Sequence, residues 1–351
     1  MTAAAQTKQR LEPLRRAMSE FEETEVRTAI SAILCDEAVV RLSHPMGTIS
    51  GRDFFDCAYA PLLQAMPDLE RRDIIVVAGA DQNDINWVGC MGHYVGTFTA
   101  PFLEIPPTGH LAHMRFHEFY RFDRDHVMEV QAIWDLPELM MQASAWPMAP
   151  SLGREICVPG PMSQDGLSDG DGQLSLPSQS LVIDMLTQLS RHPSEGGPEI
   201  MQAERFWHPR MNWYGPAGIG TARGISGFRN WHQIPFLNAF PDRKGGTTGT
   251  LESHFFSEGN FVAVTGWPNM QMTATGGGWL GIAPSGKKIT MCSLDFWRVE
   301  ENRIRENWVL VDLLDVYAQL GVDVFARMRE FNKALAPRSI PIPIGAANDP
   351  S

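Results

Sequence analysis

"IPPTGHLAHMRFHEFYRFDRDHVMEVQAIWDLPELMMQ" (Ile105–Gln142) and "IAPSGKKITMCSLDFWRVEENRIRENWVLVDLLDVYAQ" (Ile282–Gln319) fall on one another without a gap when the chain is shifted by 177 positions. Pro107 meets Pro284, Gly109 meets Gly286, and Phe119 and Arg121 meet Phe296 and Arg298. Glu129, Asp135 and Gln142 meet Glu306, Asp312 and Gln319. Upstream the shift becomes 174, so that "MPD" at Met66–Asp68 meets "FPD" at Phe240–Asp242. A pair "HP" also recurs, at His44-Pro45 and His208-Pro209. Self-similarity on this scale is a tandem duplication.

Working outward, the expected organisation is a first domain over 1–144, a linker over 145–180, a second domain over 181–335 and a Pro-rich tail over 336–351. The linker stretch is rich in Pro, Gly, Ser and Asp and has little periodicity. Each half opens with an amphipathic helix, expected over about Glu12–Val40 and about Leu181–Arg205. A loop with "HP" follows, then a short helical stretch ending at "PD", then strands joined by turns such as "DRDH" and "EENR". Helices followed by antiparallel strands make an α+β domain.

The totals exclude several functions. The chain has 351 residues, is 44% hydrophobic and carries a net charge of −12, with no basic block. Such a surface repels nucleic acid and anionic membranes. The first residues lack the apolar core of a signal peptide, and no apolar run is long enough to span a membrane. The five cysteines are scattered without a CxxC pair, as expected of reduced thiols in a cytoplasmic protein. "GGTTG" and "TGGGW" do not join a strand to a helix, so no dinucleotide site is expected, and no His spacing points to a metal.

The motif order resembles the SnoaL-like polyketide cyclases, or predicted ester cyclases, of the nuclear transport factor 2-like superfamily. The resemblance rests on "FPD" before the sheet, "IPPTG" and "IAPSG" entering a long strand, "FYRF" and "FWRV" before a hairpin, and "ENWVLVD" with "QLG" at the end. It implies two tandem cone-shaped domains, each a curved antiparallel sheet wrapped around its N-terminal helices. It also implies pairing through sheets, which this chain would achieve between its own halves, with further homo-oligomers left open. In that family the aspartate after the Trp of the last strand is the general acid/base, a role the resemblance carries onto Asp312 and onto Asp135 in the first half.

A two-residue loop at Glu301-Asn302 pairs Glu300 with Arg303. Continued without interruption, it puts Met291, Ser293, Asp295, Trp297, Glu306, Trp308, Leu310 and Asp312 on one face. Three carboxylates among aromatics suit a pocket better than a core, because an unpaired buried charge is costly. Asp295 and its counterpart Glu118 are therefore candidate catalytic pocket acids, and His254 on an early strand is a further candidate catalytic residue facing the pocket. "DLLD" and "DLPE" are equally good helix caps, which would explain Asp312 and Asp135 without chemistry. Expected pocket-lining residues are His208, Trp213, Tyr214, Trp231, Trp267, Trp279, Met291, Trp297 and Trp308 in the second half, and His93 and Tyr120 in the first. For His232, beside Trp231, core packing is the plainer reading.

The expected function is a cofactor-independent enzyme using general acid/base chemistry on a small, mostly apolar carbonyl compound by cyclisation, isomerisation or dehydration. The alternatives are a non-catalytic small-molecule-binding or assembly protein, and a ring-opening hydrolase. The second half, which keeps "ENW" and "QLG", is the better candidate for activity.

Overall fold

The computed structural model describes residues 3–246 and 251–334. The tail over 336–351 and part of "GGTTG" lie outside them. In the first domain, helices Ala3–Glu20 and Glu23–Ile33 are followed by strands β1 (Leu34–Leu42), β2 (Gly47–Ser50), β3 (Glu70–Ala80), β4 (Asn86–Thr97), β5 (Leu111–Asp123) and β6 (His126–Trp134). The helix expected to reach Val40 stops at Ile33. From Ala38 onward burial alternates with period two, Ala38, Val40 and Leu42 inward and Val39 outward, and the backbone pairs as a strand.

The sheet order is β2-β1-β6-β5-β4-β3. Its pairs are antiparallel except β1 with β6, which run parallel, so the sheet is mixed where a purely antiparallel one was expected. The rest of the domain lies between β1 and β6 and supplies the long crossover that a parallel pair needs.

The second domain repeats the plan with β7 (Trp207–Tyr214), β8 (Ala222–Arg223), β9 (Lys244–Gly245), β10 (His254–Glu258), β11 (Phe261–Thr265), β12 (Met270–Thr273), β13 (Lys288–Met291), β14 (Ser293–Glu300) and β15 (Arg303–Val311). Its main sheet runs β10-β11-β14-β15-β7-β8, again with one parallel pair, β15 with β7. Where the first domain has the continuous strands β4 and β5, the second is interrupted. β12 and β13 splay away with β9 into a small sheet, and the Asn269 side chain bridges the gap through Ser293 O (2.8 Å) and Ser293 N (3.0 Å). The helix Gly172–Ser190, capped by Asp171, takes in residues 172–180 of the stretch read as linker. Residues before it are pinned: Trp308 Nε1 donates to Pro159 O (2.9 Å) and Val76 N to Gly166 O (2.8 Å). Among the described residues no helix is long and apolar enough to cross a membrane.

The hairpin turn at Glu301-Asn302 forms as expected, with positive φ at both residues and Glu300 opposite Arg303. Beyond it Arg305 is an extra residue. Val299 faces Ile304, but Arg298 already faces Glu306, so Trp297 lies opposite Asn307, Asp295 opposite Val309 and Ser293 opposite Val311. The first hairpin carries the same bulge at the matching position, Met128. One inserted residue exchanges the two faces of everything after it. Met291, Ser293, Asp295 and Trp297 therefore share their face with Asn307, Val309 and Val311. Glu306, Trp308 and Leu310 turn to the opposite face, which corrects the face expected from the sequence.

That opposite face joins the domains. Leu294, Phe296, Trp308 and Leu310 form one core with Ile75, Trp87, Met91, Phe119 and Ile133 of the first domain. Phe119 and Phe296, equivalent residues of the two copies, meet with ring centroids 5.1 Å apart. His117 Nδ1 lies 2.7 Å from O of Leu294, its own equivalent. The copies are thus related by a local two-fold axis between β5 and β14. Gly89 permits the approach, since a Cβ there would stand 2.9 Å from Phe119 and 3.1 Å from Phe296. Phe296→Ala is expected to cost roughly 3–5 kcal/mol, as for other buried Phe truncations. In calorimetry the two wild-type domains should melt in a single transition; two separated transitions would mean that the packed face does not couple them.

Candidate active site

The inward faces of the two sheets have opposite contents. In the second domain, β14 and β15 aim Ser293, Asp295, Trp297, Asn307, Val309 and Val311 into a cavity of ≈ 130 Å³. A second lobe of ≈ 380 Å³ opens toward the gap at Asn269 and shares Asp295, Ser293, Trp297, Arg243, Met270 and Leu186. The facing wall is helical. Phe228, His232 and Phe236 recur at every fourth position and present one stripe to the cavity. The His232 ring lies 3.9 Å from that of Trp213 at 18° and 5.6 Å from that of Phe236. Burial, reinforced by Arg243, pushes its pKa down to about 3, so it is a neutral ring.

Asp295 accepts a hydrogen bond from Ser293 Oγ on Oδ1 (2.5 Å), and among the described residues it has no ion-pair partner. Desolvation by its apolar walls raises its pKa to about 7, and the Ser293 bond opposes only part of that rise. Arg243 also lines both lobes, and burial lowers its pKa from the ordinary guanidinium value. Several further polar atoms around the cavity are buried without a partner: Nε1 of Trp207, Trp279 and Trp297, Nδ1 of His232, Oε1 of Gln233 and Nε of Arg243. Buried polar groups are normally hydrogen-bonded, and among the described residues the walls of this one space hold six that are not.

The first domain shows the same frame filled in. Glu118 occupies the position of Asp295, but it is paired with Arg71 and accepts from Tyr94 (2.7 Å), Tyr120 (2.6 Å) and Trp134 Nε1 (2.9 Å). Burial opposes its ionisation, yet the charge of Arg71 and these bonds outweigh burial and hold the carboxyl below its ordinary value. The difference between the copies lies in side-chain volume. At the 177 shift, Phe116 and Trp134 become Ser293 and Val311; at the 174 shift, Tyr59 and Arg71 become Gln233 and Gly245. The three rings and the arginine that close the first interior are therefore absent from the second, and the acid is left facing space.

Asp312 and Asp135 are not among the cavity-lining residues. Asp312 Oδ1 accepts from Asp315 N (3.2 Å) as a helix cap, and Oδ2 accepts from His44 N of the first domain (2.8 Å). Asp135 Oδ2 accepts from Ala217 N of the second domain (2.9 Å) and from Arg115 (3.3 Å). Each aspartate thus receives the loop that follows the first strand of the other copy. Burial raises both to about 7, the same value as Asp295, so ionisation does not separate the three acids and geometry does.

The structure places the remaining expected residues as follows. Trp213, Trp279, Met291 and Trp297 line the cavity. Tyr214 and Trp308 stack on each other 5.4 Å apart on the interdomain face. His254 leaves the cavity too: its Nδ1 lies 2.6 Å from Asp81 of the first domain, against Trp87. Trp267 packs at the same interdomain core. Trp231 is 53% exposed, because it falls on the side of its helix opposite the Phe228–His232–Phe236 stripe. His208 bonds its own strand, accepting from Arg210 N (3.0 Å). His93 and Tyr120 belong to the closed first domain, and burial lowers His93 to about 4. The sequence reading missed Arg243, Gln233 and Trp207, and took His232 for packing; the i, i+4, i+8 aromatic stripe was the available signal for His232. Among the described residues no group of His, Cys, Asp and Glu could hold a metal ion.

Comparison with protein families matches the SnoaL-like polyketide cyclase model over residues 12–143 and again over 196–320. Solved structures similar to the chain include AclR from Streptomyces galilaeus, at 19% identity over 42% of this chain and 91% of that one with a TM-score of 0.35. IdmH from Streptomyces antibioticus is 18% identical over 40% of this chain and 99% of its own, with a TM-score of 0.33. TsrD from Streptomyces laurentii is 22% identical over 40% and 96%, also at 0.33. Comparison with curated proteins finds no match.

Restoring the first domain's side chains should close the cavity. Ser293→Phe combined with Val311→Trp is expected to weaken binding of methyl 2-naphthoate at least tenfold, read by quenching of intrinsic fluorescence, while the circular dichroism spectrum is unchanged. Stability should report the carboxyl as well. With a folded pKa of about 7 against an ordinary Asp value near 4, the folded state holds the extra proton between those values, so this group's effect on stability worsens as pH rises from about 4 to 7. Asp295→Asn should raise Tm at pH 8 and leave it unchanged at pH 4.

Proposed function

We propose a function from one premise: the chain belongs to the SnoaL-like polyketide cyclase family. The second domain is a cyclase-type enzyme acting on a mostly apolar carbonyl compound, with Asp295 as general acid/base and the first domain as its scaffold. The observation that carries this is the position of Asp295. Among the described residues it is the acid with a raised pKa that faces a cavity, and its Oδ2 accepts no hydrogen bond from the protein.

The chemistry follows from that position. A carboxylate with a pKa near the working pH balances the available basic fraction against the drive to take a proton. Asp295 removes a proton from a carbon flanked by carbonyls, and the resulting enolate attacks a second carbonyl carbon to close a ring. The protonated Asp295 then returns its proton to the new alkoxide. Ser293 holds the carboxylate in one orientation throughout. The apolar walls exclude bulk water and keep the enolate from collecting a proton elsewhere.

Enolisation can be followed without the natural substrate. Hydrogen–deuterium exchange at the α-carbon of 2-tetralone, read by NMR, should be accelerated by the wild-type chain. Its rate should rise with pH and level off above about 7. Asp295→Asn is expected to lower the rate by about 10²–10⁴-fold, the usual worth of a positioned acid/base. Asp312→Asn keeps the cap and should leave the rate within about twofold. Loss of exchange in Asp312→Asn with retention in Asp295→Asn would return the role to the aspartate named by the family resemblance.

A further inference from the structure

We infer that the cavity takes an organic anion: an aromatic ligand with a free carboxylate or an equally acidic group, bound by Arg243. This rests on the proposed reading only in using the same cavity. Arg243 follows "FPD", directly after Asp242, and its side chain lines both lobes. Among the described residues it forms no ion pair and no side-chain hydrogen bond, and its Nε is buried without a partner. Its neighbours are accounted for elsewhere. Asp242 accepts from Thr273 N (2.7 Å) and Thr273 Oγ1 (2.6 Å) and is turned to its own loop. The guanidinium carbon of Arg243 lies 6.0 Å from the centroid of the Phe236 ring, at the outer limit of a cation–π contact.

Arg243 is half-buried with its Nε fully covered, and a cation partly withdrawn from water without a counter-charge is costly unless something supplies the charge. In the first domain the comparable problem is solved internally, because Arg71 is met by Glu118, Asp73 and the face of Phe116. Among the described residues of the second domain nothing does this. The acid that shares the cavity, Asp295, is held by Ser293 and lies beyond ion-pair distance of Arg243. The space between them is walled by Trp213, Trp279, Trp297 and Phe236, a surface for flat rings. A planar ligand with an acidic group at Arg243 and a ketone toward Asp295 satisfies both ends. A guanidinium fork matches a carboxylate with two parallel bonds and offers an ester much less.

The test compares 2-naphthoate with methyl 2-naphthoate on the full-length chain by isothermal calorimetry at pH 8. The wild type should bind the acid at least tenfold more tightly than the ester. Arg243→Gln should bring the two within about twofold by weakening the acid and leaving the ester unchanged. Arg243→Lys should retain a reduced preference, and it carries the comparison if the glutamine variant does not fold. Equal affinity of the wild type for both probes, including no binding of either, overturns the inference, and so does an acid preference that survives Arg243→Gln. Asp295→Asn should keep the acid preference while losing α-carbon exchange, so failure of this inference and failure of the acid/base reading give different results.

Discussion

The extra residue in each hairpin, Met128 in the first copy and Arg305 in the second, is the constraint on which the rest of the structure depends. A strand offers its side chains alternately to two faces, and a bulge hands them from one face to the other. In this chain one face of each sheet must pack on the other domain and the opposite face must enclose the interior. The bulge assigns Trp308 and Leu310 to the interdomain core and Asn307, Val309 and Val311 to the interior. Its presence at matching positions in both copies makes the sheets compatible surfaces, which then meet where Phe119 touches Phe296.

Once that packing exists, the two interiors are free to differ. The first is sealed by Arg71, Glu118 and a cluster of Tyr59, Tyr94, Tyr120 and Trp134, in which the carboxylate finds its counter-charge and its hydrogen bonds inside the protein. A closed interior of this kind stabilises the shared frame. The second differs, with smaller residues at four wall positions and an acid and a cation that, among the described residues, have no ion-pair partner and face the space left. Stability given up at a site is the common cost of function, and a duplicated fold can place the two demands in different copies.

Three aspartates raised to similar values illustrate why pKa needs geometry. Asp135 and Asp312 are raised by burial, yet their oxygens receive amides from a loop of the opposite domain, so they hold the copies together. Asp295 is raised by the same physical cause but leaves an oxygen open to the cavity. A perturbed carboxyl becomes a candidate for chemistry when a ligand can reach it.

By itself the sequence determined the duplication, the α+β class, the hairpin at Glu301-Asn302 and the equivalence of Asp295 with Glu118, because these follow from local patterns repeated at a constant shift. Trp213, Trp279, Met291 and Trp297 were legible as cavity residues since their type and strand or turn position already favour a wall. Tertiary structure decided the rest. A one-residue bulge leaves no mark in composition, yet it moved Trp308 and Glu306 to the other face. The strand at Leu34–Leu42 resembles a helix extension until β6 pairs with it. Whether an interior is open depends on the summed volumes of residues brought from distant elements, here Trp213, His232, Arg243 and Val311, and that sum exists only once the elements have met.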